Sequence, residues 1–431
     1  MQKFEKIIAL IKHEVVPAMG CTEPAAVALA AAYAANQVEG EIEKIELFVS
    51  PSILKNGMGV GIPNTGLVGL DIAAALGAIV AEPEKELEIL GDLDESQLAQ
   101  GKALMDKITT KMEASSEKVY IKAIVKSKSQ SATATIRCRH NFLYQLEVDG
   151  KTIFQQEIKQ DENCHVAGAD EFRLKDYFEF ANGVAYEELL KLDLGEKINR
   201  RISEFGLSED SGMGVGKTIL QNIKDGILGD DIHNYATALT AAATDARMSG
   251  CNLPVISNSG SGNQGLSITL PIIAASEKLG SSHEKLIRAL ALGHLVSIHI
   301  KNKTGLLSSI CGCLSASAGA ACGIVLLLGG DFQKMEYAIK NMIGNTTGML
   351  CDGAKEGCSL KVATTTSAAV QAALLANMGR SISPNDGIVT DDLDETIDNL
   401  AKIVKTGMQN TDSTILNIMI NKKNNKEAND V

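Results

Sequence analysis

Residues 118–159 decide the fold. KVYIKAIVKS (118–127), ATATIRCRH (132–140), FLYQLEVD (142–149) and KTIFQQEIK (151–159) each alternate apolar and polar side chains. A period of two puts every second residue on one face of a strand, so these segments read as half-buried strands. Asp149-Gly150 stands between the last two and supplies the left-handed backbone that a tight hairpin turn requires. Upstream, IEKIELFVS (42–50) alternates in the same way, and LVGLDIAAALGAIV (67–80) and ESQLAQGKALMDKIT (95–109) read as helices. Residues 41–164 are therefore expected to form an α+β unit with an antiparallel sheet.

Outward from this unit the pattern is helical. Residues 3–16 and 24–37 are separated by Pro17 and Gly20, and from 170 onward helical segments follow one another almost to the end. The fold class expected is α+β: a large, mostly α-helical catalytic domain from residues 1–40 and 165–431, with the smaller α+β domain 41–164 inserted. Such an insertion brings Cys21 close to residues around 250–360. The polar tail NKKNNKEANDV (421–431) is expected to lack structure.

The 431 residues are 45% hydrophobic and 22% charged, as in an ordinary globular protein, but only 4% aromatic and without Trp. Abundant Ala, Gly and Ser call for a core of closely packed backbones. The net charge of −12 argues against general affinity for nucleic acid or an anionic membrane. The stretch 304–330 carries no charge, but only GIVLLL within it is strongly apolar, so it reads as a buried core helix. Nine cysteines, an odd number without the spacing of a secreted scaffold, and no signal-peptide pattern point to the cytoplasm and reduced thiols. The partner expected is a small molecule, with no nucleic acid and no membrane; a homo-oligomer is allowed.

Two glycine-rich motifs fail their context. SGMGVGKT (211–218) approaches a phosphate-binding loop but follows a polar helical segment where a buried strand is needed. GSGNQG (260–265) has the spacing of a dinucleotide loop without a βαβ unit around it. It reads better as an anion-binding turn, with Ser259, Ser261 and Asn263 at a helix N-terminus, or else as a tight turn in a crowded core. Cys164-His165 adjacency carries little weight for a nucleophilic pair, and His294 and His299 lack metal-ligand spacing.

The cysteines offer more. GCTEP (20–24) sets Cys21 at a Pro/Gly break where a small-residue helix begins; a helix N-terminus lowers a thiol pKa, and the alternative is a small buried hydrophobe. CGC (311–313) lies in the charge-free run, and CDGAKEGC (351–358) spaces two thiols across a glycine-rich loop. The spacing is not that of structural zinc; a cluster site and four small core residues both remain open.

Taken together, PAMGCTEPAAVALAAA (17–32), SPSILKNGMGVGIPNTG (50–66), SNSGSGNQG (257–265), SSICGC (308–313) and CDGAKEGC (351–358) resemble the L-cysteine desulfidase family, related to the iron–sulfur L-serine dehydratases. The resemblance covers nearly the whole chain; glycines at 57 and 59 stand where the family is expected to carry alanines. It implies a [4Fe–4S] cluster with one open iron, held by Cys311, Cys351 and Cys358, with Cys313 the competitor for Cys311, and no pyridoxal phosphate. It implies Cys21 as the catalytic base. The helix start at Thr22, Glu23 and Pro24 favours a thiolate there, and because Glu23 would oppose that thiolate electrostatically, its side chain is expected to point elsewhere. The activity implied is elimination of sulfide from L-cysteine to give pyruvate and ammonia. The alternatives are L-serine dehydration and a non-enzymatic cluster-binding sensor. Asn56, Ser259, Ser261 and Asn263 are the candidates for gripping the substrate.

Overall fold

The alternating segments do become strands. The computed structural model describes residues 2–63, 65–113, 117–158 and 168–429. Its strands are β1 (Pro17–Ala18), β2 (Lys44–Val49), β3 (Ile108–Met112), β4 (Tyr120–Lys126), β5 (Ser131–Arg137), β6 (Leu143–Val148), β7 (Lys151–Gln155) and β8 (Val255–Ile256). A six-stranded sheet runs β3-β2-β4-β5-β6-β7. Ile121, Ala123 and Val125 of β4 and Ala132, Ala134 and Ile136 of β5 form its buried face, as the period of two requires. The sheet is mixed: β2 and β3 pair in parallel, Ile45 opposite Ile108, while its other pairings are antiparallel. The segment expected to be helical through Thr109 turns at Leu104 and becomes β3.

Helices Thr22–Ala35 and Leu70–Val80 cover the sheet, sharing one core with β2, β4 and β5. They approach so closely that a Cβ at Gly77 would lie 2.1 Å from the Ala28 carbonyl oxygen. Only glycine fits there. Helix Gln2–Glu14 instead buries Ile7, Leu10 and Ile11 in the helical core. Within residues 1–40, then, Ala26, Ala30, Ala31 and Ala34 of helix Thr22–Ala35 share the core of the sheet. Between the two cores, β1 pairs antiparallel with β8, Pro17 opposite Ile256. That short ladder ties the start of the chain to its middle.

The helical part is built around Ile232–Met248, Gly262–Leu279, His283–Thr304, Cys313–Leu327 and Cys358–Asn377. Residues 313–327 of the charge-free stretch lie almost wholly inside it. Gly319 meets Gly293 backbone to backbone, where an added Cβ would stand 2.2 Å from the Gly293 carbonyl oxygen. This contact is what the Ala/Gly/Ser-rich composition provides for. Among the described residues no helix is long and apolar enough to cross a membrane. The last helix runs Thr411–Asn429, through much of the tail expected to be unstructured.

Candidate active site

Where the two cores meet, one pocket gathers residues that are far apart in the sequence. A cavity of about 100 Å³ is lined by Cys21, Asn56, Ser259, Ser261, Asn263, Cys311, Cys351 and Cys358, together with Cys313, Glu23, His140, Arg247 and Lys301. Every candidate residue read from the sequence lies on its wall. A larger cavity of about 650 Å³ adjoins it and shares His140, Ser259, Gly260 and Leu306, so it forms a vestibule.

At one end, Cys21 is the N-cap of helix Thr22–Ala35, as the Pro/Gly break implied. Its electrostatics differ from the expectation. The thiol donates to Glu23 Oε2 at 2.9 Å, so the Glu23 side chain points at Cys21 and not elsewhere. Burial, and after it the Glu23 carboxylate, push the thiol pKa well above its ordinary value. A helix terminus supplies at most about 2 kcal/mol, whereas burying an ionised group costs about 4–7 kcal/mol. Desolvation wins, and the resting residue is a thiol. Burial also drives Glu23 upward, but His140 and hydrogen bonds from Cys21 and Asn56 outweigh it and hold the carboxylate below its usual range. Asn56 Nδ2 donates to Glu23 Oε1 at 2.8 Å, and Thr22 Oγ1 to Oε2 at 3.2 Å. The Asn56 Oδ1 atom is buried without a partner among the described residues, as is His140 Nε2.

The anion-binding turn is held from behind. Asn258 bridges His294 Nδ1 and the Ser259 hydroxyl, while His294 Nε2 faces the Leu194 carbonyl; burial lowers the His294 pKa to about 4, so it stays a neutral core residue. Ser259 adopts φ of +48°, a strained left-handed backbone in a non-glycine residue. Ser261 caps helix Gly262–Leu279. Arg247 donates through Nη2 to the Gly20 carbonyl at 2.6 Å and through Nη1 to Asn263 Oδ1 at 2.9 Å. It pins the GCTEP turn against the Asn263 turn and carries no salt bridge among the described residues.

The other end is a thiol wall. Residues 308–311 and 349–351 form a short antiparallel bridge: Cys311 N donates to Met349 O and Cys351 N to Ser309 O, each at 2.8 Å. Cys313 and Cys358 each begin a helix. The hydrogen bond from Cys313, working against burial and helped by Lys361 and Lys301, lowers the Cys311 pKa to about 7, whereas the same contact raises Cys313. Burial raises Cys351 and brings Cys358 to about 11. Among the described residues no three Cys, His, Asp or Glu side chains converge as a single metal ion requires. A cluster spreads its ligands over a wider volume. An all-thiol donor set beside an unpaired buried cation, Lys301, fits an anionic iron–sulfur cluster.

Sequence reasoning missed His140, Arg247 and Lys301, each distant in sequence from the quoted motifs or outside their reading. Lys217 stays outside the pocket, paired with Asp210 at 2.6 Å. Cys138 is disulfide-bonded, so reduced thiols do not hold there. Cys164-His165 lie outside the described residues.

A family model described as "Serine dehydratase alpha chain" matches residues 84–417. The UPF0597 protein of Oleidesulfovibrio alaskensis is 42% identical over 423 residues, covering 98% of this chain and 99% of the relative. That of Porphyromonas gingivalis is 42% identical over 431 residues, covering 97% and 99%. That of Clostridium perfringens strain SM101 is 40% identical over 432 residues, covering 98% and 100%.

Proposed function

The chain belongs to the serine dehydratase alpha-chain family, and from that premise we propose that it is a lyase acting on L-cysteine. It releases sulfide and aminoacrylate, which hydrolyses to pyruvate and ammonia. The observation that carries this reading is the meeting, in one pocket, of the Cys21–Glu23 pair with the wall of Cys311, Cys351 and Cys358.

Cys311, Cys351 and Cys358 would hold a [4Fe–4S] cluster; the short bridge between residues 309–311 and 349–351 carries Cys311 and Cys351 together, which favours Cys311 over Cys313. When bound, such a cluster with one iron left open supplies Lewis acidity toward the departing sulfur. The chain's own residues handle the proton. Cys21 Sγ takes the Cα proton as its own proton passes along the 2.9 Å hydrogen bond to Glu23. The Cα–H electron pair becomes the Cα=Cβ bond, and the Cβ–S pair leaves with sulfur. Asn56 holds Glu23 in place through Oε1 and offers its buried Oδ1 to the substrate ammonium. Ser259, Ser261 and Asn263, at a helix N-terminus braced by Arg247, offer donors to the substrate carboxylate. Such placement accounts for much of an enzyme's advantage through orientation.

The family's description favours a second reading, in which hydroxide leaves from L-serine. Anaerobic reconstitution with iron and sulfide, followed by sulfide and pyruvate assays with both amino acids, separates the two. Equal amounts of sulfide and pyruvate from cysteine are expected. Pyruvate from serine with no sulfide from cysteine selects the dehydratase, and a chain that binds iron but turns over neither substrate removes the lyase reading.

A further inference from the structure

Lys301 lies one turn from the end of helix His283–Thr304 and is 3% exposed. Its side chain makes no hydrogen bond and no ion pair with any described residue. The other lysines of the neighbourhood are neutralised. Lys55 meets Asp412 at 2.7 Å, and Lys361 pairs with Asp352. Lys301 lines the same pocket as Cys311, Cys313 and Cys351, and those thiols act on it electrostatically, with Lys55 opposing. Burial pushes its pKa down, as it must for an ammonium taken out of water.

An unpaired charge in a protein interior is strongly destabilising. A chain that keeps one beside three cysteines has an anion to place next to it. Three thiolates around a cluster core would leave a net negative group, and Lys301 makes no ion pair with a carboxylate of the described residues. We propose that Lys301 is the buried counter-charge of the group held by Cys311, Cys351 and Cys358. This rests on the cluster reading and adds a residue to it: a positioning residue that touches no reacting atom and holds an anionic cofactor by field alone. Outer partners of this kind are commonly worth 10- to 100-fold in metal affinity.

The test uses the full chain with Lys301→Met, which keeps the length and apolar stem, and Lys301→Arg, which keeps the charge. Two quantities are measured besides turnover: the melting temperature of the iron-free chain, and iron lost to a chelator after anaerobic reconstitution. In the iron-free state Lys301→Met is expected to melt about 2 °C or more above wild type, because a buried unpaired charge has gone. Once reconstituted, it is expected to lose iron about tenfold faster, while Lys301→Arg keeps iron better than Lys301→Met and gains no stability. If the iron-free Lys301→Met chain melts at or below wild type, the ammonium is a structural group and the proposal falls. It also falls if wild type and Lys301→Met retain iron equally, the more so if the variant's KM for the amino acid rises, which assigns the cation to the substrate carboxylate. A wild-type chain that takes up no iron at all overturns the cluster reading itself, a result distinct from equal retention by loaded proteins.

Discussion

The two ends of the pocket use the same side chain in opposite electrical settings. Cys21 is buried beside a carboxylate, which raises its pKa; Cys311 is buried beside a hydrogen-bond donor and two lysines, which bring it to about 7. Desolvation opposes ionisation at both. The difference lies first in the hydrogen-bond partner, the Glu23 carboxylate for Cys21 and the Cys313 thiol for Cys311, with Lys361 and Lys301 adding to it at the second end. On the proposed reading, a thiol that carries a proton and a thiolate that binds iron would thus be specified by their neighbours and not by the cysteine itself.

The largest expected effect breaks the Cys21 end. Cys21→Ser should lower kcat by about 10³-fold with iron content unchanged, measured on the same reconstituted sample; equal loss of iron would remove its separate role. At the other end, Cys311→Ser should lose most bound iron while Cys313→Ser keeps it, and the reverse result would exchange the two ligands. The comparison is sharpened by Glu23→Gln. Because the Glu23 carboxylate raises the Cys21 pKa, its removal must lower it. Alkylation of Cys21 in the iron-free chain should then rise at lower pH than in wild type, with a severalfold gain at pH 8, while kcat falls about 10²-fold for want of a proton acceptor. An alkylation profile moved to higher pH would contradict the stated sign. The smallest effect belongs to Cys322, fully buried in helix Cys313–Leu327 away from the pocket. Cys322→Ala should cost about 1 kcal/mol in a denaturant titration and leave iron content untouched.

Much of this arrangement was legible in the sequence because it is local. Period-two alternation gave the strands from Tyr120 to Gln155, and the Pro/Gly break gave Cys21 its place at a helix start. What was not legible is long-range. β3 follows a helical pattern and becomes a strand by pairing with β2 some sixty residues away, and nothing local marks that pairing as parallel. The Glu23 side chain turns toward Cys21 because Asn56, Thr22 and His140 stabilise it there, a balance that the repulsion argument from GCTEP alone left out. Arg247 and Lys301 stand near the ends of helices that carry other polar and charged residues, so nothing local sets them apart until packing buries them. His140 lies in the turn between β5 and β6, where only the fold brings it to the pocket.

The ladder between β1 and β8 and the bond from Arg247 to the Gly20 carbonyl also set an order of events in the cell. Cys21 leaves the ribosome early, but its partners at 247–263 follow roughly 10–50 s later and the last thiol, Cys358, roughly 20–70 s later at ordinary rates of synthesis. The nascent chain therefore has no complete pocket to fill. A group held by Cys311, Cys351 and Cys358 would be delivered only after residue 358 has been made, and the early thiol of Cys21 waits for the far half of its own chain.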